Sequence, residues 1–377
     1  MRPLRIRLVA AVCAFVAESV SPSLGETIAA RQCDLLAGNP AYGASSQSVG
    51  GWAYSEADID SALAVPACRR AFSASPNTKR FEYQLARALV AGKKYEEALP
   101  IIRKGDGAGE ARYKLLLAQL YTQGRGVEAD AETSWRLLTE AAESGDGLAM
   151  FALGCKYVLG AGVEKDERRS RQLFEKAIEV GGSWAREVMG ENYDSGVCLP
   201  KDQEEALRFY ESAADMNDAV ATFRLGRIYE LGELRPKDMS LAIRYYERAA
   251  SLGSPVAMEQ LGDLYRKGDG VAQNKAKAAD LYKRAAEVGY RVAEANLGVM
   301  KIMGDGVRQE VDRGLELLKR SAERGQKTAM LSLAVIYRDG RYGVARDLYQ
   351  ALRWFKAAAD AGDAQAAKEL RALGAGR

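Results

Sequence analysis

Small and apolar positions recur along this chain every 36 residues. A small residue stands at Ala118, Gly154, Gly190, Gly226, Gly262, Gly298 and Ala334. Before each comes Leu117, Leu153, Met189, Leu225, Leu261, Leu297 or Leu333, and three places after it Tyr121, Tyr157, Tyr193, Tyr229, Tyr265, Lys301 or Tyr337. Glycine follows three residues later in every copy, from Gly124 to Gly340. In the fifth copy, Pro255 to Tyr290, the residues Ala257, Leu261, Gly262 and Tyr265 share one helical face. Gly268-Asp269-Gly270-Val271 then breaks the helix, because glycine accepts the left-handed backbone of a helix end. Lys275 to Glu287 reads as a second helix with Ala278, Leu281, Tyr282, Ala285 and Ala286 on one side, ended by Gly289. Each copy is therefore an αα-hairpin. A hairpin that short cannot bury its apolar face alone, so neighbours stack into one continuous core. The expected fold is all-α: a right-handed α-solenoid of about seven hairpins over residues 110–362.

Glycine inside a helix costs about 1 kcal/mol relative to alanine. Its recurrence predicts a close approach of two helix axes, with Leu261 and Tyr282 filling the gaps on either side. The tyrosine column suits a half-buried ring with its hydroxyl at the surface. The run Leu261, Gly262, Tyr265, Gly268, Gly270, Val271, Lys277, Ala278, Tyr282, Ala285, Ala286 and Gly289 resembles the Sel1-like repeat, a relative of the tetratricopeptide repeat. Copies depart from it. The third has Cys198-Leu199 in the loop and the fourth Glu233-Leu234. The sixth has Lys301 for tyrosine and Gly314 for an alanine. The seventh carries one extra residue before Gly343. These departures bear on loop shape, not on the fold.

The flanks read as caps. Residues 58–109 resemble a tetratricopeptide-like hairpin, Phe81 to Ala91 and Tyr95 to Ile102, preceded by a helix over Pro66 to Ser73 with its proline in the first turn. Residues 363–377 supply a last capping helix. Residues 26–57 read as a partly irregular segment with a short helix near Cys33. Residues 1–25 read as a secretory signal: Arg2, Arg5 and Arg7, an apolar run from Leu8 to Ala17, then Ser23-Leu24-Gly25 with cleavage before Glu26. That run is too short for a bilayer core, which needs about 20 residues. No second apolar run follows, so no membrane insertion of the mature chain is expected.

Composition changes this picture little. The chain carries +3 at neutral pH, and the positive excess lies mostly in the leader. No basic field remains for a nucleic-acid partner. Export implies an oxidising compartment and leaves Cys33, Cys68, Cys155 and Cys198, which allow three pairings. Cys33 and Cys68 both lie outside the repeats, and a bridge between them would staple the N-terminal segment, worth about 3 kcal/mol. Cys155 and Cys198 are expected to stay unpaired, one of them buried.

The chain has no histidine, which removes Ser-His and Cys-His nucleophile pairs and histidine metal ligands. The cysteines lack zinc-site spacing. The Gly-x-Gly loops follow helices and lack the Lys-Ser/Thr ending of a phosphate loop. No cofactor and no metal are implied. Surface remains. The resemblance to tetratricopeptide solenoids places the first helix of each hairpin on the concave face. Its outward positions are then Trp184, Glu187, Glu191 and Asp194 in the third copy, and Val220, Phe223, Arg227 and Glu230 in the fourth. Glu259, Asp263, Val299, Ile302, Leu331 and Val335 continue the series. Aromatic anchors beside charges suit a protein or peptide ligand; equally, Trp184 and Phe223 could fill contacts between helices. The resemblance implies a non-enzymatic adaptor of the bacterial envelope, periplasmic or secreted. A periplasmic negative regulator of a sensor kinase is a narrower alternative. A cell-wall glycosidase working with two carboxylates is a rival of another class.

Overall fold

The computed structural model describes residues 24–37 and 59–375. The expected signal sequence up to Ser23 and the expected loop after Ala37 lie outside the described residues. Within them the chain is a succession of helices and short turns. Four helices precede the repeats: α1 (Leu24–Ala37), α2 (Ser61–Ala74), α3 (Lys79–Ala91) and α4 (Tyr95–Gly107). The repeats comprise α5 (Ala111–Gln123), α6 (Ala131–Glu143), α7 (Gly147–Leu159), α8 (Glu167–Ser195), α9 (Gln203–Asp215), α10 (Ala219–Leu231) and α11 (Met239–Ser251). They continue through α12 (Pro255–Lys267), α13 (Lys275–Glu287), α14 (Arg291–Met303), α15 (Val311–Glu323), α16 (Lys327–Asp339) and α17 (Leu348–Asp360). A single helix, α18 (Ala364–Ala375), follows. Each helix packs mainly on its neighbours in sequence, which makes the fold an α-solenoid.

One hydrogen-bond scheme closes the hairpins. The first helix ends at a left-handed glycine, such as Gly268 at φ +78°, whose N–H donates to the Leu264 carbonyl. Six residues on, the Asn274 N–H donates to the Tyr265 carbonyl at 2.8 Å. The same bond joins Asp130 to Tyr121, Asp202 to Tyr193, Asp238 to Tyr229 and Glu310 to Lys301. Because the acceptor is backbone, lysine replaces tyrosine in the sixth copy without loss. The donor residue then caps the second helix: Asp130, Asp166, Asp202, Asp238, Asn274 and Asp347 each accept an N–H of the first turn. Such a cap stabilises a helix by about 1 kcal/mol.

The glycine column has a more specific cause than close axes alone. An aromatic ring of the second helix lies directly on it. A methyl at Gly262 would stand 2.6 Å from the Tyr282 ring, at Gly226 2.6 Å from Tyr246, at Gly190 2.8 Å from Tyr210 and at Gly154 2.7 Å from Phe174. In the first copy Leu138 stands in register with these rings, and the small residue is Ala118. In the sixth, Gly298 faces Gly314, and the helices meet almost backbone to backbone: a methyl on Gly314 would lie 2.6 Å from the Gly298 carbonyl oxygen. The column tyrosines Tyr121, Tyr193, Tyr229 and Tyr265 are half-buried, whereas Tyr157 is buried.

Three expectations need correction. The helix with Pro66 starts at Ser61, not at the proline; Asp60 caps it, accepting from the Leu63 N–H. Pro66 is exposed, and of the α2 ladder it removes only the bond to the Ala62 carbonyl. Cys155 and Cys198 are not free: their sulfurs are bonded, as are those of Cys33 and Cys68. Cys198 occupies the place of the second loop glycine. It avoids the left-handed backbone of Gly126, Gly162, Gly270 and Gly306 and packs with Phe174 and Met189 beside Cys155. The bridged residues are 43 apart, one repeat and part of the next, so a third-copy loop reaches back to a second-copy helix. Finally, α8 joins two helices usually separated by a turn, and breaks only at Gly182 (φ 59°, ψ −126°).

The same exchange should have opposite signs at two glycines. Gly262→Ala gains helix propensity but drives a methyl into the buried Tyr282 ring, for a net loss of about 1–2 kcal/mol. Gly107→Ala, with nothing within 4 Å of the added methyl, should gain about 0.5–1 kcal/mol. Denaturant melts measure both. Non-reducing peptide mapping of protein purified without reductant should recover the 33–68 and 155–198 links and no free thiol at these four positions.

Candidate binding face

The first helices, α5, α7, the second half of α8, α10, α12, α14 and α16, stand side by side. A ladder of side chains ties three successive pairs. Arg224 on α10 reaches Glu191 on α8 at 3.4 Å. The Gln260 Nε2 of α12 donates to Glu230 of α10 at 2.9 Å. The Asn296 Nδ2 of α14 donates to Glu259 of α12 at 3.2 Å. Arg224, Gln260 and Asn296 occupy one position at the 36-residue spacing. This column stands two places before the small residue, off the positions that the sequence pattern marks as outward-facing. Second-helix tyrosines complete the network: Tyr246 donates to Glu230 and Tyr282 to Asp263, each at 2.5 Å.

The expected contact residues divide. Glu191 and Arg227 are exposed; Asp194, Phe223 and Glu230 are half-buried. Phe223 lies tilted on Tyr246 at 5.5 Å and joins the core beneath it. Trp184 is not an exposed anchor, being only 4% accessible. The break at Gly182 swings the start of the second half of α8 onto α7, and the indole fills the space left by Gly147 and Gly181. It forms one wall of a groove of about 430 Å³ shared with Lys79, Glu110, Arg112 and Asp146. Trp184 and Phe223 thus belong to different layers. Ile302 is buried too, because Gly314 lets α15 close over it.

Glu187 is the largest departure. It is 2% accessible, and its Oε2 has no hydrogen-bond partner among the described residues. Burial, then the neighbouring Asp218 and Glu191, push its carboxyl well above the usual range, against a smaller opposite pull from Arg224. Asp218 itself caps α10, accepting from the Val220 and Ala221 N–H groups at 3.0 Å. Glu259 is raised to about 7 by burial and by Asp263, which outweigh the Asn296 hydrogen bond. Asp263 goes the other way: burial alone would raise it, but hydrogen bonds from Lys267 and Tyr282 hold it below its ordinary value. Two carboxyls pushed apart are the pattern of an acid and a base. Here the Asp263 oxygens are already occupied by Tyr282 and Lys267, so the pair serves the packing of this face. Among the described residues no cluster could hold a metal ion, and no helix is long and apolar enough to cross a membrane.

The family model for the Sel1 repeat matches residues 113–146, 147–182, 187–218, 219–254, 255–290, 291–326 and 327–363. The chain belongs to the Sel1-repeat family. Sel1 repeats generally serve as protein-interaction scaffolds. A solved Sel1 repeat protein from Oxalobacter formigenes is similar at 28% identity, with 82% of this chain and 90% of that one covered and a TM-score of 0.55. The c5321 protein, a protective antigen present in uropathogenic Escherichia coli strains, is similar at 27% identity over 73% of this chain and 67% of its own, with a TM-score of 0.48. No curated protein matches the chain. Two disulfides, one between the N-terminal helices and one within the Sel1 repeats, fit an oxidising compartment outside the cytoplasm.

Glu187 and Glu259 give this face a pH dependence of defined sign. The folded state holds protons that the unfolded chain releases, so stability falls as pH rises from the ordinary glutamate value through the folded one, about 7 for Glu259. Glu187→Gln should therefore raise the melting temperature at pH 8, with the difference shrinking towards pH 4. A variant that melts lower at pH 8 would show that Glu187 is ionised and partnered.

Proposed function

We propose that this Sel1 protein is an exported scaffold of the bacterial envelope that binds a partner protein along its first-helix face. The observation that carries the reading is the ladder from Arg224 to Asn296. It fixes α8, α10, α12 and α14 against one another, so that face meets a partner already ordered. A preordered surface avoids part of the entropy lost on association. With Trp184 buried, recognition falls to Glu191, Asp194, Arg227 and Glu230, with the Phe223 ring half-exposed among them. Charges at such a surface set specificity and association rate more than affinity. The oxidising compartment that the disulfides suit is the periplasm or the exterior. Restraint of a sensor kinase would be one use of such a surface.

Cross-linking in intact cells, followed by mass spectrometry, would identify the partner. Arg227→Glu should weaken its binding about tenfold, with melting unchanged. Arg208→Glu, on the second helix α9 with its side chain 73% exposed, should leave binding within about twofold. Equal losses at both positions, or a loss at Arg208 alone, would move the interface elsewhere. Absence of any cross-linked envelope protein would sink the reading.

A further inference from the structure

A solenoid in which each hairpin touches only its neighbours has no reason to join residues 264 apart, yet Arg324 and Asp60 are joined at 2.6 Å. Arg324 follows α15, at the turn into the seventh repeat. Its guanidinium also meets the Glu294 carboxylate at 2.7 Å and donates to the Gly289 carbonyl at 2.6 Å. Glu294 is 2% accessible and takes a second cation, Arg320, at 2.8 Å. Asp60 is the N-cap of α2, so one carboxylate starts that helix and ties it to the sixth repeat. Beside this pair, Leu36 of α1 and Leu63 of α2 close over Gly289, 3.4 and 3.3 Å from where its Cβ would stand. The run of hairpins from α3 to α13 must therefore curve back far enough for its start to meet its fifth and sixth repeats.

Among the described residues the contact is small: one shared guanidinium and two leucine tips over a glycine. The piece that makes it is well held on its own side. Cys33 and Cys68 bond α1 to α2. The α1 helix also lies on α3, where Arg80 and Gln84 reach Asp34 at 3.1 and 3.0 Å and Arg87 donates to the Ala37 carbonyl at 2.9 Å. So α1 and α2 move with α3 as one body. The weak point in the closed circuit is then the meeting with Gly289 and Arg324. Stacked repeats flex by small rotations summed over many units, and such a summed motion would part these two surfaces without unfolding either.

We propose that the Asp60–Arg324–Glu294 contact is a latch. Closed, it bounds the first-helix face between α3 and α14; open, it admits a partner polypeptide to that face. The admitting role rests on the partner-binding reading above. The latch itself makes the N-terminal helices and the fifth and sixth repeats depend on each other, against the nearest-neighbour rule of such folds.

The test uses the full oxidised chain and two variants, Asp60→Asn and Arg324→Gln. Asparagine caps a helix as well as aspartate does, so Asp60→Asn removes the charge and keeps α2 started. Arg324→Gln leaves that cap untouched and leaves Arg320 on Glu294. Both should raise the radius of gyration in small-angle scattering with helical content unchanged. Both should also speed amide exchange over Leu63 to Ala67 about tenfold, the loss of a charged hydrogen bond. Scattering that superimposes on the parent in both variants would overturn the latch. Faster exchange in Asp60→Asn alone would be a cap effect and would overturn it equally. Neither readout needs a partner, so a latch that opens in a chain that captures no envelope protein would fail the partner reading alone.

Discussion

The central hairpins of this solenoid depend on an aromatic ring seated on a glycine. Across the second to fifth hairpins, Phe174, Tyr210, Tyr246 and Tyr282 lie on Gly154, Gly190, Gly226 and Gly262. That contact sets how closely the two helices of a hairpin approach, and so the thickness of each layer. The glycine costs the helix about 1 kcal/mol of propensity; the ring, buried in full for Tyr246 and Tyr282, returns more through the area it removes from water. The other copies differ, and the seventh places the buried Phe355 at the ring position with Ala334 at the small one. In the first copy Leu138 is in register with the rings and the small residue is Ala118, and in the sixth Gly314 meets Gly298 directly.

With layer thickness fixed, the remaining choices follow from stacking. Helix caps recur at the hairpin period because each loop returns its chain by the same backbone bond. Side chains on successive first helices then come within reach of one another, so donors at Arg224, Gln260 and Asn296 find acids on the preceding first helix, 33, 30 and 37 residues back. The proposed binding face is thus a by-product of the packing: its side chains differ between repeats on a frame that does not. The same frame buries whatever falls on the wrong side of a local irregularity. Gly182 does this to Trp184, and Gly314 does it to Ile302.

The period, the two helices of each repeat and the left-handed glycines were legible in the sequence, since each follows from local chemistry repeated seven times. The Cys33–Cys68 pairing was legible from position outside the repeats. Other features were not, for identifiable reasons. Cys155 and Cys198 meet only because a loop of one hairpin lies against the helix of another, and hydrophobic periodicity within a hairpin is silent on that. Glu187 falls at an outward position of an ideal helix, but Asp218 begins the next first helix across it. Asp60 and Arg324 look like ordinary surface charges; only the accumulated curvature of the hairpins between them brings them together.

The Cys155–Cys198 bond also alters how the chain would bear load. A solenoid pulled from its ends yields hairpin by hairpin, each adding its full length of extended chain. This bond removes 43 residues from that path, about 15 nm of contour at roughly 3.5 Å per residue. The second half of α7, all of α8 and its following loop would stay unextended while neighbouring hairpins spool out. A chain held at two points would therefore keep a folded block at the junction of its second and third repeats, next to the start of the ladder, for as long as its surroundings stay oxidising.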